Sequence, residues 1–107
     1  MNKSRLESFE EIVQSSPTDS FAHYALALEY EKVGRADEAI NTFRKLLGFN
    51  PDYVPAYQMC GQLLMRLERF EEARRILSQG LEKAQQTDNA KARDEIQGLL
   101  EELAKLG

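Results

Sequence analysis

Tryptophan is missing from this chain of 107 residues, and cysteine occurs once. A lone thiol, Cys60, excludes an internal disulfide and any metal site built from several cysteines, and it fits a reducing compartment. Glycine and proline are scarce, at six and three. With abundant Ala, Leu, Glu, Lys, Arg and Gln, that scarcity favours helix. No apolar run approaches the roughly 18 residues that a membrane span needs. The opening "MNKSRLESFEEI" is acidic and amphipathic and lacks the apolar core of a signal peptide. Charge of one sign is not gathered into blocks: 14 cations and 18 anions are interspersed, for a net −4. A chain of that sign gains little from a phosphate backbone, so nucleic acid is not expected as a partner. Gly-rich phosphate loops, HExxH and EF-hand patterns are also missing, and no cofactor or metal is expected. These absences predict one soluble, cytoplasmic domain with no membrane contact.

What the chain does have is an internal repeat. "EKVGRADEAI" at 31–40 returns as "MRLERFEEAR" at 65–74, thirty-four residues on. Laying 17–50 over 51–84 pairs Pro17 with Pro51, Ala22 with Ala56, Ala39 with Ala73 and Leu47 with Leu81. Conservative pairs add Leu26/Cys60, Ala27/Gly61, Tyr30/Leu64, Val33/Leu67 and Phe43/Leu77. The pairs are apolar or small and spaced as one helix face requires. Each unit therefore reads as two helices. The first helix of the earlier unit stops at Gly34, a left-handed C-cap. Its second helix runs from about Ala36 to Leu47. In the later unit Asp52 is placed to cap the first helix, and Pro55 is tolerable in its first turn. Ala39 and Ala73 are read as the small residues at which the two helices of a hairpin cross.

The ends of the chain are partial units. Leu6, Phe9, Ile12 and Val13 stand thirty-four residues before Ile40, Phe43, Leu46 and Leu47, so the chain opens on a second-type helix, with Ser4 and Glu7 placed for a capping box. At the other end a two-residue insertion in the loop "KAQQTDN" puts Ala92, Ile96, Leu100 and Leu103 on the buried positions. Leu99 then follows Leu63. Gln97 takes the small position held by Ala27 and Gly61, as a terminal helix allows.

A 34-residue helix–turn–helix with an aromatic residue, Leu, a small residue, Tyr, then Gly, Ala, Phe and Pro in order resembles the tetratricopeptide repeat. His23, Leu26, Ala27, Tyr30, Gly34, Ala39, Phe43 and Pro51 hold those places in the first unit. Tyr57, Cys60, Gly61, Leu64, Ala73 and Leu77 hold them in the second. Here Glu68 replaces the inter-helix Gly, Gly80 takes the second small position, and Gln85 replaces the closing Pro. The resemblance spans about Leu6 to Leu103. It implies an all-α fold: a right-handed α-solenoid of antiparallel helix pairs, about six helices in all. The expected organisation is a single domain over 1–107. An N-terminal half repeat (3–16) precedes repeat 1 (17–50) and repeat 2 (51–86), and a C-terminal capping helix (88–106) follows.

The resemblance further implies a non-catalytic protein–protein interaction scaffold that holds a peptide or helix of a partner in a concave groove. Core positions aside, the first-type helices leave Phe21, Tyr24 and Leu28, then Gln58, Met59, Gln62 and Met65, as the expected partner-binding groove. Its floor is apolar, with methionines suited to adaptable contact. Its amides, from Gln58 and Gln62, are placed to meet a ligand backbone. Its far wall, from Glu95 to Glu102, is acidic, so a partner with apolar anchors and some basic character is expected. Phe21, Leu28 and Met59 have a second reading, as side chains packed on neighbouring helices. Relatives that clamp a terminal carboxylate use Lys, Arg and Asn on these helices. This chain has Tyr24, Leu28, Gln58, Met59 and Gln62 instead, which argues against that ligand. The alternative to partner binding is a weak homodimer through the last helix, where Leu99, Leu100, Leu103 and Leu106 offer surplus apolar surface. An enzyme or redox role would need His23 and Cys60 to form a nucleophile–base pair; both fall on core-facing positions and are read as structural. The paired acids at Glu10–Glu11, Glu71–Glu72 and Glu101–Glu102 are read as solvated faces.

Overall fold

Six α-helices and no strand occur in the computed structural model, which describes residues 3–106. They are α1 (Arg5–Ser15), α2 (Ser20–Lys32), α3 (Ala36–Phe49), α4 (Val54–Arg66), α5 (Phe70–Gln86) and α6 (Ala90–Leu106). Met1 and Asn2, which open the stretch read for a leader, lie outside the described residues, as does Gly107. Internal contacts divide the chain into two units, one ending at Asn50 and one beginning at Pro51.

In the first unit α1 packs on α2, and α2 on α3. The expected capping box opens α1. The Glu7 amide donates to Ser4 Oγ at 3.1 Å, and the Ser4 amide to Glu7 Oε1 at 3.4 Å. Asp19 caps α2, its carboxylate accepting from the Ala22 amide at 2.9 Å. Such a bond satisfies a first-turn N–H that has no partner inside the helix. The core is Ala22, His23, Leu26, Ala27 and Tyr30 from α2 with Ala39, Ile40, Phe43 and Leu46 from α3. The opening helix buries no residue fully. Leu6, Phe9 and Val13 are half-buried, while Ile12 is 44% exposed. With α2 covering one side of α1, the apolar face is wider than its cover.

In the second unit α4 packs on α5, α5 on α6, and α4 on α6. Ala56, Cys60 and Leu64 of α4, Ala73 and Leu77 of α5, and Ile96 and Leu103 of α6 are completely or almost completely buried. Pro55 sits in the first turn of α4, as expected. Asp52 does not cap that helix. The cap position is Tyr53, one residue on. Hence the Asp52 carbonyl accepts from the Val54 amide at 2.9 Å, and the Asp52 carboxylate faces Lys83 Nζ at 3.4 Å. The residues read as an inserted loop are also different. Lys83 to Gln86 are helical, and α5 has 17 residues against the 14 of α3. The insertion lengthens the helix, and Asn89 then caps α6 by accepting from the Ala92 amide at 3.1 Å. Ile96 and Leu103 reach the core, as the two-residue shift requires, while Ala92 and Leu100, expected with them, are half-buried.

Three helix ends share one turn. Gly34 (φ 82°), Glu68 (φ 60°) and Asp88 (φ 55°) are left-handed. In each case the next amide reaches back to close the turn: Arg35 to the Tyr30 carbonyl at 2.8 Å, Arg69 to Leu64 at 2.9 Å, and Asn89 to Ala84 at 2.8 Å. This pattern satisfies carbonyls the helix leaves open. Val33 and Leu67, expected in the core, are the C-caps before two of these turns and stand 54% and 40% exposed. The chain leaves helical geometry there, so helical spacing no longer aims the side chain inward. The repeated Arg and Glu belong to the start of the following helix. Arg35 Nε donates to Glu38 Oε1 at 2.6 Å and Arg69 Nε to Glu72 Oε1 at 2.9 Å, each pair doubled by a second nitrogen. The bonded Arg35 guanidinium holds the Glu38 carboxyl below its usual range.

Candidate partner-binding faces

The buried stripe of α2 occupies one side of the helix, and a 3.6-residue period sends the remaining side chains outward. Phe21 is 66% exposed. Tyr24 and Leu28, one and two turns on, are half-buried, and Tyr24 stands edge-on to Phe43 at 6.2 Å. On α4 the predicted set Gln58, Met59, Gln62 and Met65 is half-buried throughout. Of the three side chains with a second reading as packed on neighbouring helices, Phe21 is open, while Leu28 and Met59 are half-buried.

The second unit adds a feature that the sequence did not reveal. Gln62, Met65 and Arg66 of α4 face Leu99, Glu102 and Leu106 of α6 across a depression of ≈ 490 Å³. Gln58, one turn earlier, donates its amide to Glu95 Oε2 at 3.0 Å. The two helices are thus tied at Gln58 and Glu95 and stand apart towards their C-terminal ends. Sequence reasoning left the Gln58 amide free for a ligand; it is held by Glu95. It also grouped Leu99, Leu100, Leu103 and Leu106 as one surplus apolar strip. Leu103 is buried, Leu106 is 60% exposed, and Leu99 lines the depression. The stripe Glu95, Leu99, Glu102, Leu106, at steps of four, three and four, was the available signal.

The ionisable groups inside each unit serve the fold. Tyr30 donates its hydroxyl to Glu10 at 2.8 Å and lies under Arg35, whose guanidinium carbon is 4.8 Å from the ring centre. Burial and the Glu10 carboxylate push the Tyr30 hydroxyl up to about 12. Arg5 Nε donates to the largely buried Glu29 at 2.8 Å. Burial also raises the Tyr57 hydroxyl, which donates to the Pro51 carbonyl at 2.6 Å. His23 and Cys60 are buried, as expected. His23 meets Phe49 edge-on at 4.9 Å. Among the described residues no cluster of three or more His, Cys, Asp or Glu is arranged for a metal ion, and no helix is long and apolar enough to cross a membrane.

The family model described as Tetratricopeptide repeat matches residues 30–103. A tetratricopeptide repeat domain protein of Salinibacter ruber is 35% identical in its crystal structure, with a TM-score of 0.77, covering 83% of this chain and 100% of that one. Its solution structure gives 0.81, with 86% and 93% covered. A protein of Bordetella parapertussis is 24% identical with a TM-score of 0.82, covering 97% of this chain and 90% of its own. The TPR2B domain of yeast Sti1, solved as a pHsp70 complex, is 20% identical with a TM-score of 0.88, covering 95% and 82%. No curated protein matches the chain.

Proposed function

This chain belongs to the tetratricopeptide repeat family, and on that footing we propose that it is a non-catalytic, cytoplasmic scaffold that binds a peptide or helix of a partner protein. The fold of this family commonly mediates protein–protein interaction, and the Sti1 complex illustrates a domain of this fold holding a ligand. That ligand is not carried over, because the identity is 20% and the Lys, Arg and Asn of a carboxylate clamp are replaced by Tyr24, Leu28, Gln58, Met59 and Gln62. The observation that carries the reading is that α2 and α4, once packed, each keep apolar surface in solvent: Phe21 and Leu28 on one, Met59 and Met65 on the other. Exposed apolar surface rimmed by polar groups marks interaction sites. An interface on so short an array buries less than about 1,200 Å², the range of transient contacts.

Crosslinked capture from the source cell tests this, with wild type beside Phe21→Ser and Met65→Ser, and Arg75→Glu as a control on α5. The expected result is a specific partner held by wild type and the control and lost from both other variants. Retention by all four proteins contradicts the reading. A second reading, self-association through α6, has the exposed Leu106 in its favour. A strict monomer by light scattering at high concentration removes it.

A further inference from the structure

We propose that the depression between α4 and α6 receives a short amphipathic segment of a partner protein, with a bulky aliphatic side chain placed close to a lysine or arginine. This rests on the scaffold reading above and gives one of its surfaces a ligand chemistry. The floor and walls are Met65, Leu99 and Leu106, an adaptable apolar lining. Over it stands Glu102, whose carboxylate has no hydrogen bond or ion pair among the described residues. Arg66, on the opposite rim, already has a partner. Among the residues that line the depression the unanswered charge is therefore negative, and the exposed Glu101 on the same helix adds to it, against the single Lys105 one turn on.

The tie between Gln58 and Glu95 closes one end, so an occupant enters from the C-terminal ends of the helices. Charge selects among occupants. An acidic tail is repelled by Glu102. The α6 helix of a second copy brings Asp94, Glu95, Glu101 and Glu102 against three cations, so it offers no net positive charge to Glu102. A cationic, aliphatic segment meets both the lining and the rim.

Two short fluorescent peptides, one alternating Leu with Lys and one alternating Leu with Glu, test the proposal by anisotropy with the full chain at about 50 mM salt. The Leu/Lys peptide is expected to bind with a Kd of order 10–100 µM, and the Leu/Glu peptide about tenfold more weakly or not at all. Glu102→Lys is expected to weaken the Leu/Lys peptide about five- to tenfold, and Leu106→Ser about fivefold. Both positions are exposed, and circular dichroism verifies that the variants stay folded. Glu82→Lys, the same charge change on α5, is expected to shift binding less than about twofold.

Equal binding of both peptides, binding of neither, or an equal effect of Glu82→Lys and Glu102→Lys overturns the proposal. So does a dimer that persists in wild type and is broken by Leu106→Ser, which makes a second copy the occupant. If Phe21→Ser abolishes peptide binding while Glu102→Lys and Leu106→Ser leave it intact, the depression is overturned and the scaffold reading stands. The capture experiment judges that reading separately.

Discussion

At the position that the first unit fills with Ala27 the second has Gly61, and where the first has Leu46 the second has Gly80. All four residues are buried. A Cβ on Gly61 would run into the Leu77 side chain, and a Cβ on Gly80 would lie 2.5 Å from the Tyr57 Cβ and 3.3 Å from Ile96 Cδ1. The second unit thus removes bulk at two points of helix crossing and fills the space at Gly80 from Tyr57 and Ile96, and at Gly61 from Leu77, itself smaller than the Phe43 of the first unit. Its outer helix docks deeply enough to bury Ile96 and Leu103. The first unit keeps bulk at its crossing, with the smaller His23 where the second has Tyr57, and its outer helix stays half-covered. The same repeat spacing therefore supports two different distributions of volume, since a core is judged by how well the total fills the space.

The largest expected effect breaks the tighter core. Leu77→Ala, fully buried in the second unit, is expected to cost about 2–5 kcal/mol, whereas Ile12→Ala on the half-covered α1 costs about 0.5 kcal/mol or less. Urea melts compare the two, and equal losses would erase the contrast. Next, Gly61→Ala is expected to cost about 1–3 kcal/mol by overpacking against Leu77. The cost of Leu77→Ala in that background should then be smaller than in wild type, because truncation removes the atoms in the way. Additive losses would show that Leu77 is not what Gly61 accommodates.

A third test uses alkaline pH. Tyr30 in the first unit is answered by Leu64 in the second. The folded Tyr30 hydroxyl is pushed up to about 12, against about 10 when unfolded. Its stabilising contribution is complete below pH ~10 and is lost as pH rises towards ~12. Between pH ~9 and ~11 wild type should lose about 1 kcal/mol more than Tyr30→Phe. Tyr57, also raised, is common to both proteins and cancels. Parallel pH curves would deny that burial and the bond to Glu10 hold the proton on Tyr30. The smallest effect lies at the matched turns. Gly34→Ala should cost about 1 kcal/mol, while Glu68→Gly should gain about 0.5 kcal/mol by relieving a left-handed residue. Chemical denaturation reads both, and a loss at Glu68→Gly would mean that its side chain contributes more than its backbone costs.

The positions of the core were legible in mid-course of the helices covered on both sides, less so on α1 and α6, where Ile12 is exposed and Leu100 half-buried. Ala22, Leu26, Ala39, Phe43 and Leu77 follow from the 34-residue period and the 3.6-residue turn. Legibility failed at helix ends. Val33 and Leu67 continue the apolar spacing on paper but lie where the backbone turns left-handed. Asp52 misses the cap by one residue, a shift that helix spacing does not register. The exposed side of α4 was legible for the same reason as its core, since it is what the buried stripe leaves. The depression beside it was not. It depends on the separation of α4 and α6, which is set by Gly80, Tyr57 and Ile96 packing together. The destination of the Gln58 amide depends on the phase of α6 after the lengthened α5.

The most direct measurement is a carbon–proton NMR spectrum of the methionine, leucine and isoleucine methyl groups while the Leu/Lys peptide is added. Shifts are expected at Met65, Leu99 and Leu106, with Ile76 and Leu81 of α5 unmoved. Shifts confined to α5, or none at saturating peptide, would contradict that expectation.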